Sequence, residues 1–484
     1  MQGGFRLISV HSGGLLGIAG FAISVEVDIR PGLPGFEIVG LPSASVKESR
    51  ARVRSAMRNS GFKFPPQKVV VNLAPADARK DGALFDLAIA LGILAHQGVV
   101  PRERLAKTLI VGELSLGGRV RSVPGVLALA VLARDRGCSL MFPQENSVQA
   151  ASIPGVEYLP VSSLQEAVHV LQGKVAPARL HPAAYSGQRH GPPSERIIGQ
   201  QLAKRALTVA AAGRHHILLM GPPGVGKTLL ARAAAALLPP LTKEEAVDVT
   251  SVYSAAGLET AGLVRKRPVR QPHHSISRTA LIGGGALPRP GEISLAHRGL
   301  LILDELPEFS IDALQALREP LDQKRVHIAR AGYNVNFPAD CWIIATANPC
   351  PCGYLGSSTR ECRCSAGDLA RYHRRLRGPL IDRFDMFCRM GEVSPDEASG
   401  EDEPWYEHAH LHGQLPTPSV NLPLARDGEA LLAQAHTRLG LSMRSYHKTI
   451  RVARTIAALS GAHSVEAPHV AEALQYRYQG RLGF

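Results

Sequence analysis

Residues 221–228 read GPPGVGKT, between the apolar run HHILLM and the helix-forming run LLARAAAALL. The pattern is G-x-x-x-x-G-K-[S/T], and each part of it suits a phosphate ester. Gly221, Pro222, Pro223, Gly224, Val225 and Gly226 make a turn whose backbone N–H groups converge on phosphate oxygens. The helix that follows aims the positive end of its dipole at the same point. Lys227 neutralises charge on the outer two phosphates, and the Thr228 hydroxyl supplies an oxygen to a Mg2+ shell. ATP with Mg2+ is the expected ligand.

Two further apolar runs end in polar residues of the complementary kind. GLLILDE (299–305) ends in two acids: Asp304 is placed to hold Mg2+ through water, and Glu305 to polarise an attacking water. CWIIATAN (341–348) ends in Asn348, which then stands where the γ-phosphate is sensed. As neighbouring parallel strands, the three runs bring phosphate, metal and water to one edge of a sheet. Downstream, GPLIDRFD (378–385) offers Arg383, placed to reach a neighbouring subunit's γ-phosphate as an arginine finger; a local ion pair with Asp382 or Asp385 is the alternative. In LSMRSYHKTIRVARTIAAL (441–459) Arg444 is the candidate to close over the nucleotide from a C-terminal helix. Arg451 and Arg454 are its rivals, and a solvated helix face is the plain reading.

Four of the seven cysteines, Cys350, Cys352, Cys362 and Cys364, form C-x-C-x9-C-x-C directly after Asn348. Two pairs of thiolates across a short loop suit a tetrahedral Zn2+ site, although C-x-C is tighter than the usual spacing. Structural Zn2+ is the expectation, with free thiols or a redox pair as alternatives. Cys138, Cys341 and Cys388 are isolated and expected in the interior. Between Asp304 and Asn348, KRVHIARAGYNVNFPADC (324–341) alternates apolar and polar residues on both sides of Ala331-Gly332 and reads as a β-hairpin. A second insertion is expected over 265–299, with Gly283 to Gly285 as a flexible tip.

These residues need a frame. The chain has 484 residues, 45% hydrophobic and 20% charged, a soluble globular composition long enough for roughly two to four domains. Residues 1–172 mix β-like runs such as FAISVEVDI and KVVVNLAP with helical ones such as SASVKESRARVRSAMRNSG and GALFDLAIALGILAHQG. TLIVGELSLGGRV reads as a hairpin turning at Gly117-Gly118. Residues 173–195 are a Pro-, Gly- and His-rich linker. A second α/β block covers 196–392, a polar connection 393–422, and three helices fill 423–484. The fold class is α/β.

A net charge of +14 points to a polyanionic partner, nucleic acid before membrane; a solvated basic surface is the alternative. No apolar run approaches the roughly 18–20 residues of a membrane span, and the first residues lack a basic stretch followed by a long apolar core. An odd, bunched set of cysteines argues against a secreted disulfide scaffold. The expected compartment is cytoplasmic.

Taken together, GFEIVGLPSASVKESRARVRSA, IIGQ, GPPGVGKT, RPVRQPHHSIS, LIGGGALPRPGEISLAHRGLLILDELPEF, ATANPCPCGY, GPLIDRFD and LSMRSYHKTIRVARTIA resemble the ComM/YifB-type, Mg-chelatase-like family of AAA+ ATPases across nearly the whole chain. The resemblance implies an N-terminal Lon-protease-like domain of the ribosomal-protein S5 domain 2 type, an AAA+ P-loop core and a helical C-terminal lid. ComM-type members are hexameric ATP-driven DNA helicases that promote branch migration in natural transformation. The partners implied are therefore DNA, single-stranded or branched, and further copies of the chain in a homohexamer. Minichromosome-maintenance helicases and chelatases share the two-insertion plan, and in the helicases the insertions point into the pore. By that likeness Arg330 near the hairpin tip, with Lys324 and Arg325 behind it, grips phosphates; a structural hairpin with a solvated arginine is the alternative. The 394–422 segment is shorter than in typical members, which bears on how the lid is coupled to the core.

RKDGALFDLAIAL resembles the stretch in which Lon presents its nucleophilic serine, but Ala83 and Leu84 follow Gly82 here. GELSLGGRVRSVPGVLAL resembles the stretch that supplies the activating lysine, and Leu127 holds that position. A Ser–Lys mechanism needs both groups, so no peptidase activity is expected. Three functions then compete: a DNA translocase or branch-migration helicase, a chelatase-type motor that remodels a protein partner, and a non-motor DNA clamp. A complete ATP site with a finger candidate disfavours the clamp. The basic charge and the Lon-like domain favour the DNA motor over the chelatase type.

Overall fold

A computed structural model describes residues 7–41, 43–75, 80, 82–178, 180, 185–191, 197–258, 260, 262–285, 288–330, 333–357, 360–376, 380–392, 405 and 421–477. The chain forms two units. One comprises Met1–Ser186, Ala246–Val264 and His327–Asn336, the other Gly187–Glu245, Arg265–Val326 and Phe337–Phe484.

In the first unit a period of two sets the strands. Ile8 and Val10 of β1 (Ile8–Leu16) are buried, and so are Ile23, Val25 and Val27 of β2 (Ala19–Arg30). The two pair antiparallel, Ile8 opposite Val27. With β3 (Gly35–Val39), β4 (Lys68–Ala74), β5 (Thr108–Ile110), β8 (Ser139–Pro143) and β9 (Tyr158–Val161) they form a mixed seven-stranded sheet in the order β3-β4-β2-β1-β5-β8-β9. The expected hairpin turns as read, between β6 (Glu113–Leu114) and β7 (Val120–Arg121), but its TLI start is drawn into the main sheet as β5. Helix α1 (Ala44–Asn59) is capped by Ser43, whose Oγ accepts the Val46 N–H. Every residue from Asp86 to Ala95 of α2 (Asp86–His96) is buried, which explains its unbroken apolar sequence. Its one charge, Asp86, is held by Arg52 at 2.6 Å and by the Leu114 N–H at 3.3 Å, as a buried carboxylate must be. Leu127 is buried in α3 (Val126–Asp135), and α4 (Leu164–Leu171) starts on Ser163, which accepts the Glu166 N–H.

The second unit opens with α5 (Gln201–Gly213) and β10 (Ile217–Met220), which leads through GPPGVG into α6 (Lys227–Ala233). Strands β11 (Val269–Arg270), β14 (Leu300–Leu303), β17 (Trp342–Ala347) and β18 (Met386–Arg389) join β10 in the order β11-β14-β17-β10-β18, every neighbouring pair parallel. Strands β10, β14 and β17 are buried at every residue, the mark of a parallel sheet covered on both faces. The runs that end at the P-loop, at the acid pair and at Asn348 are therefore direct neighbours. Both expected insertions contain paired strands: β12 (Gly283–Gly284) with β13 (Arg289–Pro290), and β15 (Arg325–Arg330) with β16 (Tyr333–Pro338), whose His327–Asn336 portion belongs to the first unit. Helix α7 (Ala366–Arg375) follows the cysteine loop.

The three expected C-terminal helices are α8 (Arg426–Leu439), α9 (Met443–Leu459) and α10 (Ala467–Gln475). Val452, Ala453, Ile456 and Ala457 of α9 share a core with Ala203, Ala206 and Ala210 of α5. Small residues on α5 allow that close approach. The hairpin tip at 331–332 and most of the 393–422 connection lie outside the described residues. Among the described residues no helix is long and apolar enough to cross a membrane.

Candidate nucleotide-binding site

The P-loop is built as its glycines dictate. Gly224 and Gly226 have φ of 82° and 87°, a region that β-carbons disfavour, and Gly226 leads directly into the first turn of α6. Lys227 turns its ammonium back to Gly221 O and Pro222 O, both at 2.7 Å, and to Asn348 Oδ1 at 2.9 Å. Burial pushes this ammonium down to about 8, with Asp304 and then Glu305 opposing the shift. Lys227 is thus tied by a direct hydrogen bond to Asn348 at the end of β17.

Asp304 is the hub at the end of β14. Its carboxylate accepts from Thr228 Oγ1 at 2.9 and 3.1 Å, from Thr346 Oγ1 at 2.6 Å and from Gln271 Nε2 at 3.4 Å. Thr346 also accepts the Glu305 N–H at 2.9 Å. Glu305 itself has φ of 55°, a left-handed conformation unusual for a residue with a β-carbon. Its half-exposed carboxylate lies 3.7 Å from His274 Nδ1. Strands β11, β14, β17 and β10 therefore contribute Gln271, Asp304 with Glu305, Thr346 with Asn348, and the P-loop, in sheet order. A hydroxyl and a carboxylate within 3 Å of one another, beside backbone amides at a helix start, are the hard oxygen donors and anion cradle that Mg2+ and a triphosphate require.

Gln271, Thr346 and His274 were not among the residues chosen from sequence. Gln271 and His274 lie in RPVRQPHHSIS, a stretch that carries the family likeness, and Thr346 stands two residues before Asn348 on the same strand. A period of two from Asn348 was the available signal for Thr346.

Arg383 and Arg444 meet elsewhere. Arg383 sits in a tight turn (Ile381–Arg383) and bonds Asp322, neither Asp382 nor Asp385 being its partner there; its Nε donates to Arg318 O at 3.1 Å. Arg444 Nη2 donates to the same Asp322 at 3.1 Å. Both line a cavity of about 680 Å3 shared with His216, Gly299 and Cys341, the residues that precede β10, β14 and β17. The pair thus stands at the N-terminal ends of the strands, whereas the P-loop, Asp304 and Asn348 stand at the C-terminal ends. Arg444 does not fold over this chain's own P-loop as expected, because α9 is anchored at the start of β18: Lys448 bonds Phe384 O and lies 3.0 Å from Asp385. Of the rivals, Arg451 lines the same cavity and lies 3.9 Å from Asp385, whereas Arg454 turns to Leu422 O at 3.1 Å.

The family models described as magnesium chelatase, subunit ChlI, match residues 194–398, with the ChlI subunit model at 25–146 and its C-terminal model at 406–477. The chain is 38% identical over 495 residues to the uncharacterized protein YifB of Escherichia coli, covering 98% of this chain and 97% of that protein. It is 39% identical over 504 residues to the competence protein ComM of Haemophilus influenzae, covering 98% of each. This chain belongs to the ComM/YifB Mg-chelatase-like family. A shorter likeness, 28% over 212 residues, relates 41% of the chain to 19% of the DNA replication licensing factor MCM2 of Arabidopsis thaliana.

Membership of the Mg-chelatase-like AAA+ family implies ATP and Mg2+, and the groups gathered on Asp304 and Lys227 fit both. The remaining candidates of this family member separate. Lys324 lies 3.3 Å from Asp340, a carboxylate it shares with Arg298 at 3.4 Å and Arg214 at 3.6 Å, so it is part of an ion cluster at the N-terminal strand ends. Arg325 is exposed at the start of β15, and the side chain of Arg330 lies outside the described residues. Cys350, Cys352, Cys362 and Cys364 bring their sulfurs within 4.8 Å of one another. Cys341 and Cys388 are buried as expected, and Cys138 is half-buried.

Proposed function

We propose that this chain is an ATP-driven motor on DNA that works as a homohexameric branch-migration helicase. One observation supports the reading: two sets of residues suited to the two halves of a shared ATPase site lie at opposite ends of a single parallel sheet. Lys227, Thr228, Asp304, Glu305 and Asn348 gather at one end, Arg383 and Arg444 at the other. Strand β10 has four residues, so at about 3.3 Å per residue the two ends lie on the order of 13 Å apart. The arginines then serve a neighbouring chain's phosphates through a head-to-tail contact, which makes a ring where the rotation between neighbours closes. In this reading residues 1–172 are a Lon-like scaffold, 196–392 the AAA+ core and 423–484 the lid.

In this reading the contacts support the following roles. Lys227 and the P-loop amides hold the outer phosphates; Thr228 and Asp304 hold Mg2+. Glu305 accepts the proton of the attacking water, and Asn348 orients the γ-phosphate against Lys227. Arg383 and Arg444 of the adjacent subunit would lower the charge that develops in the transition state. DNA as the substrate is supported by the +14 charge, by near full-length likeness to a competence protein and by partial likeness to a replication licensing factor.

The matches to chelatase subunit models favour a second reading, a motor that remodels a protein partner. ATP turnover with and without DNA separates the two, followed by unwinding of three-strand and forked substrates with Lys227→Ala as control. DNA stimulation with ATP-dependent unwinding supports the first reading. Indifference to DNA, with stimulation by a protein partner, supports the second.

A further inference from the structure

The loop between Asn348 and α7 carries a second centre that ATP chemistry does not use. Cys350 and Cys352 Sγ are 3.3 Å apart, Cys350 and Cys362 3.7 Å, and Cys352 and Cys362 3.6 Å, with Cys364 inside the same 4.8 Å group. Four thiolates at about 2.3 Å from a tetrahedral metal have edges of about 3.8 Å. The sulfurs are thus already spaced for one ion. Backbone donors are aimed at them as well: the Leu355 N–H at Cys350 Sγ, 3.3 Å, and the Tyr354 and Arg363 N–H groups at Cys352. Such donors suit sulfur that carries charge. The Gly353 N–H closes the turn onto Cys350 O at 3.0 Å. Cys350 is buried and the other three are half-buried, so the set is reachable by an ion yet fixed in place.

We propose that Cys350, Cys352, Cys362 and Cys364 bind one structural Zn2+ as thiolates, and that this clip braces the nucleotide site. The bracing follows from what the loop touches. Asn348, which bonds Lys227, lies two residues before Cys350. Its carbonyl accepts from Tyr372 Oη at 3.0 Å, and the Pro349 carbonyl pairs with His373 Nε2 at 3.1 Å, so α7 holds the entry strand of the loop. On the other side Gly353, with φ of 88°, lies so close to the P-loop that a β-carbon there would come within 2.7 Å of Pro223 Cδ. Zn2+ between the two C-x-C pairs locks the segment that lies between Asn348 and Pro223. A closed four-thiolate shell leaves no position for water, so the ion is structural and takes no part in hydrolysis.

The site is tested by metal content, which does not depend on the ATPase reading; the bracing rests on that reading. Full-length protein is purified under reducing conditions without chelator and analysed by inductively coupled plasma mass spectrometry. About one zinc per chain is expected, released by a mercurial in step with four thiols. Cys362→Ser/Cys364→Ser should lose the zinc, and Cys138→Ser should keep it. Iron in place of zinc, disulfides in the reduced protein, or seven freely titrating thiols with no metal would each overturn the site. For the bracing, the zinc-free protein should keep its circular dichroism and lose about 10²-fold in ATP turnover, the scale of an ångström-sized misplacement. Undiminished turnover without zinc overturns the bracing. Should the double variant fail to fold, chelator-stripped wild-type protein gives the same comparison. Protein that holds zinc but shows no ATPase activity refutes the ATPase reading and leaves the metal site standing.

Discussion

Replacing Lys448 with Met keeps an unbranched side chain, one heavy atom shorter, and deletes its charge. In the native protein the ammonium lies 3.0 Å from Asp385 Oδ1, with the two side chains 9% and 5% exposed. Asp385 also accepts the His216 N–H at 3.0 Å. Burial disfavours the charged carboxylate, but Lys448 first, then His216, His215 and Arg451, outweigh it and hold Asp385 down at about 2. Removing one partner of a buried pair costs about 3–5 kcal/mol, because the remaining charge is left without compensation. Arg451, 3.9 Å away and more than half exposed, can move closer, so the lower end, about 3 kcal/mol, is expected. At roughly 2–4 °C per kcal/mol that lowers the melting midpoint of this unit by about 6–12 °C. The pH dependence carries the sign. Native Asp385 has a depressed pKa, so its stabilisation is present above the unfolded value of about 3.9 and is lost as pH falls through about 2. In Lys448→Met the carboxylate has a raised pKa and escapes its penalty by taking up a proton. The gap between wild type and variant is therefore widest near neutral pH and narrows toward about pH 5. His215 and His216, pushed down to about 4 by burial, stay neutral across that range. Burial pushes Lys448 itself down to about 8, with Asp385 opposing the shift, so scanning calorimetry between about pH 7 and pH 5, where the ammonium is charged, reads this directly, and adding Asp385→Asn should restore much of the loss. A deficit below about 1 kcal/mol, or one unchanged over that pH range, refutes the argument.

Lys227→Ala should abolish nucleotide binding, whereas Glu305→Gln should bind ATP as wild type and hydrolyse it slowly; calorimetric titration and phosphate release separate the two, and equal loss of affinity in both would refute the division of roles. Arg383→Ala and Arg444→Ala should each keep ATP affinity and lose turnover, by about 10³-fold or more for Arg383. Mixing Arg383→Ala with Glu305→Gln chains should restore part of the rate, because one intact site then forms between unlike neighbours; a rate indifferent to mixing counts against action in trans. Arg330→Ala should leave basal ATPase unchanged and weaken DNA stimulation, with the salt slope of DNA binding flatter by roughly one unit or less; unchanged binding and unwinding would remove this hairpin from the mechanism.

The nucleotide end of the sheet was legible because each of its strands announces itself twice. An apolar run buried on both faces is one signal, and a polar residue of fixed chemical type at its end is the other. HHILLM before the P-loop, LLIL before Asp304 and WIIATA before Asn348 all obey this, and they pair side by side. Strand β11 has only two residues and no apolar run, so Gln271 could not be placed against Asp304 from sequence. The cysteines were legible for another reason: a short loop limits how far two C-x-C pairs can separate, and the four sulfurs lie together. The hairpin at Gly117-Gly118 was half legible. Its turn is local, but TLI left it because pairing with β1 and β8 buries all three residues in the large sheet.

The direction of Arg444 was not legible, and the reason bears on mechanism. Arg444, Lys448 and Arg451 are spaced by four and three residues, so helical periodicity puts all three on one face of α9. Periodicity cannot say which acid that face meets. Asp385 meets Lys448 and Arg451, and the face then extends one turn back to Asp322, where Arg383 is already bound. The buried ion pair of Lys448 with Asp385 thus helps hold this face of α9 at the end of the sheet where Arg444 meets Asp322. If the proposed ring forms, this pair also sets whether a subunit presents one arginine or two to its neighbour. Lys448→Met should therefore lower ATP turnover further than its folded fraction accounts for, at unchanged ATP affinity. Turnover that simply tracks the folded fraction would show that Arg444 reaches its place without this anchor.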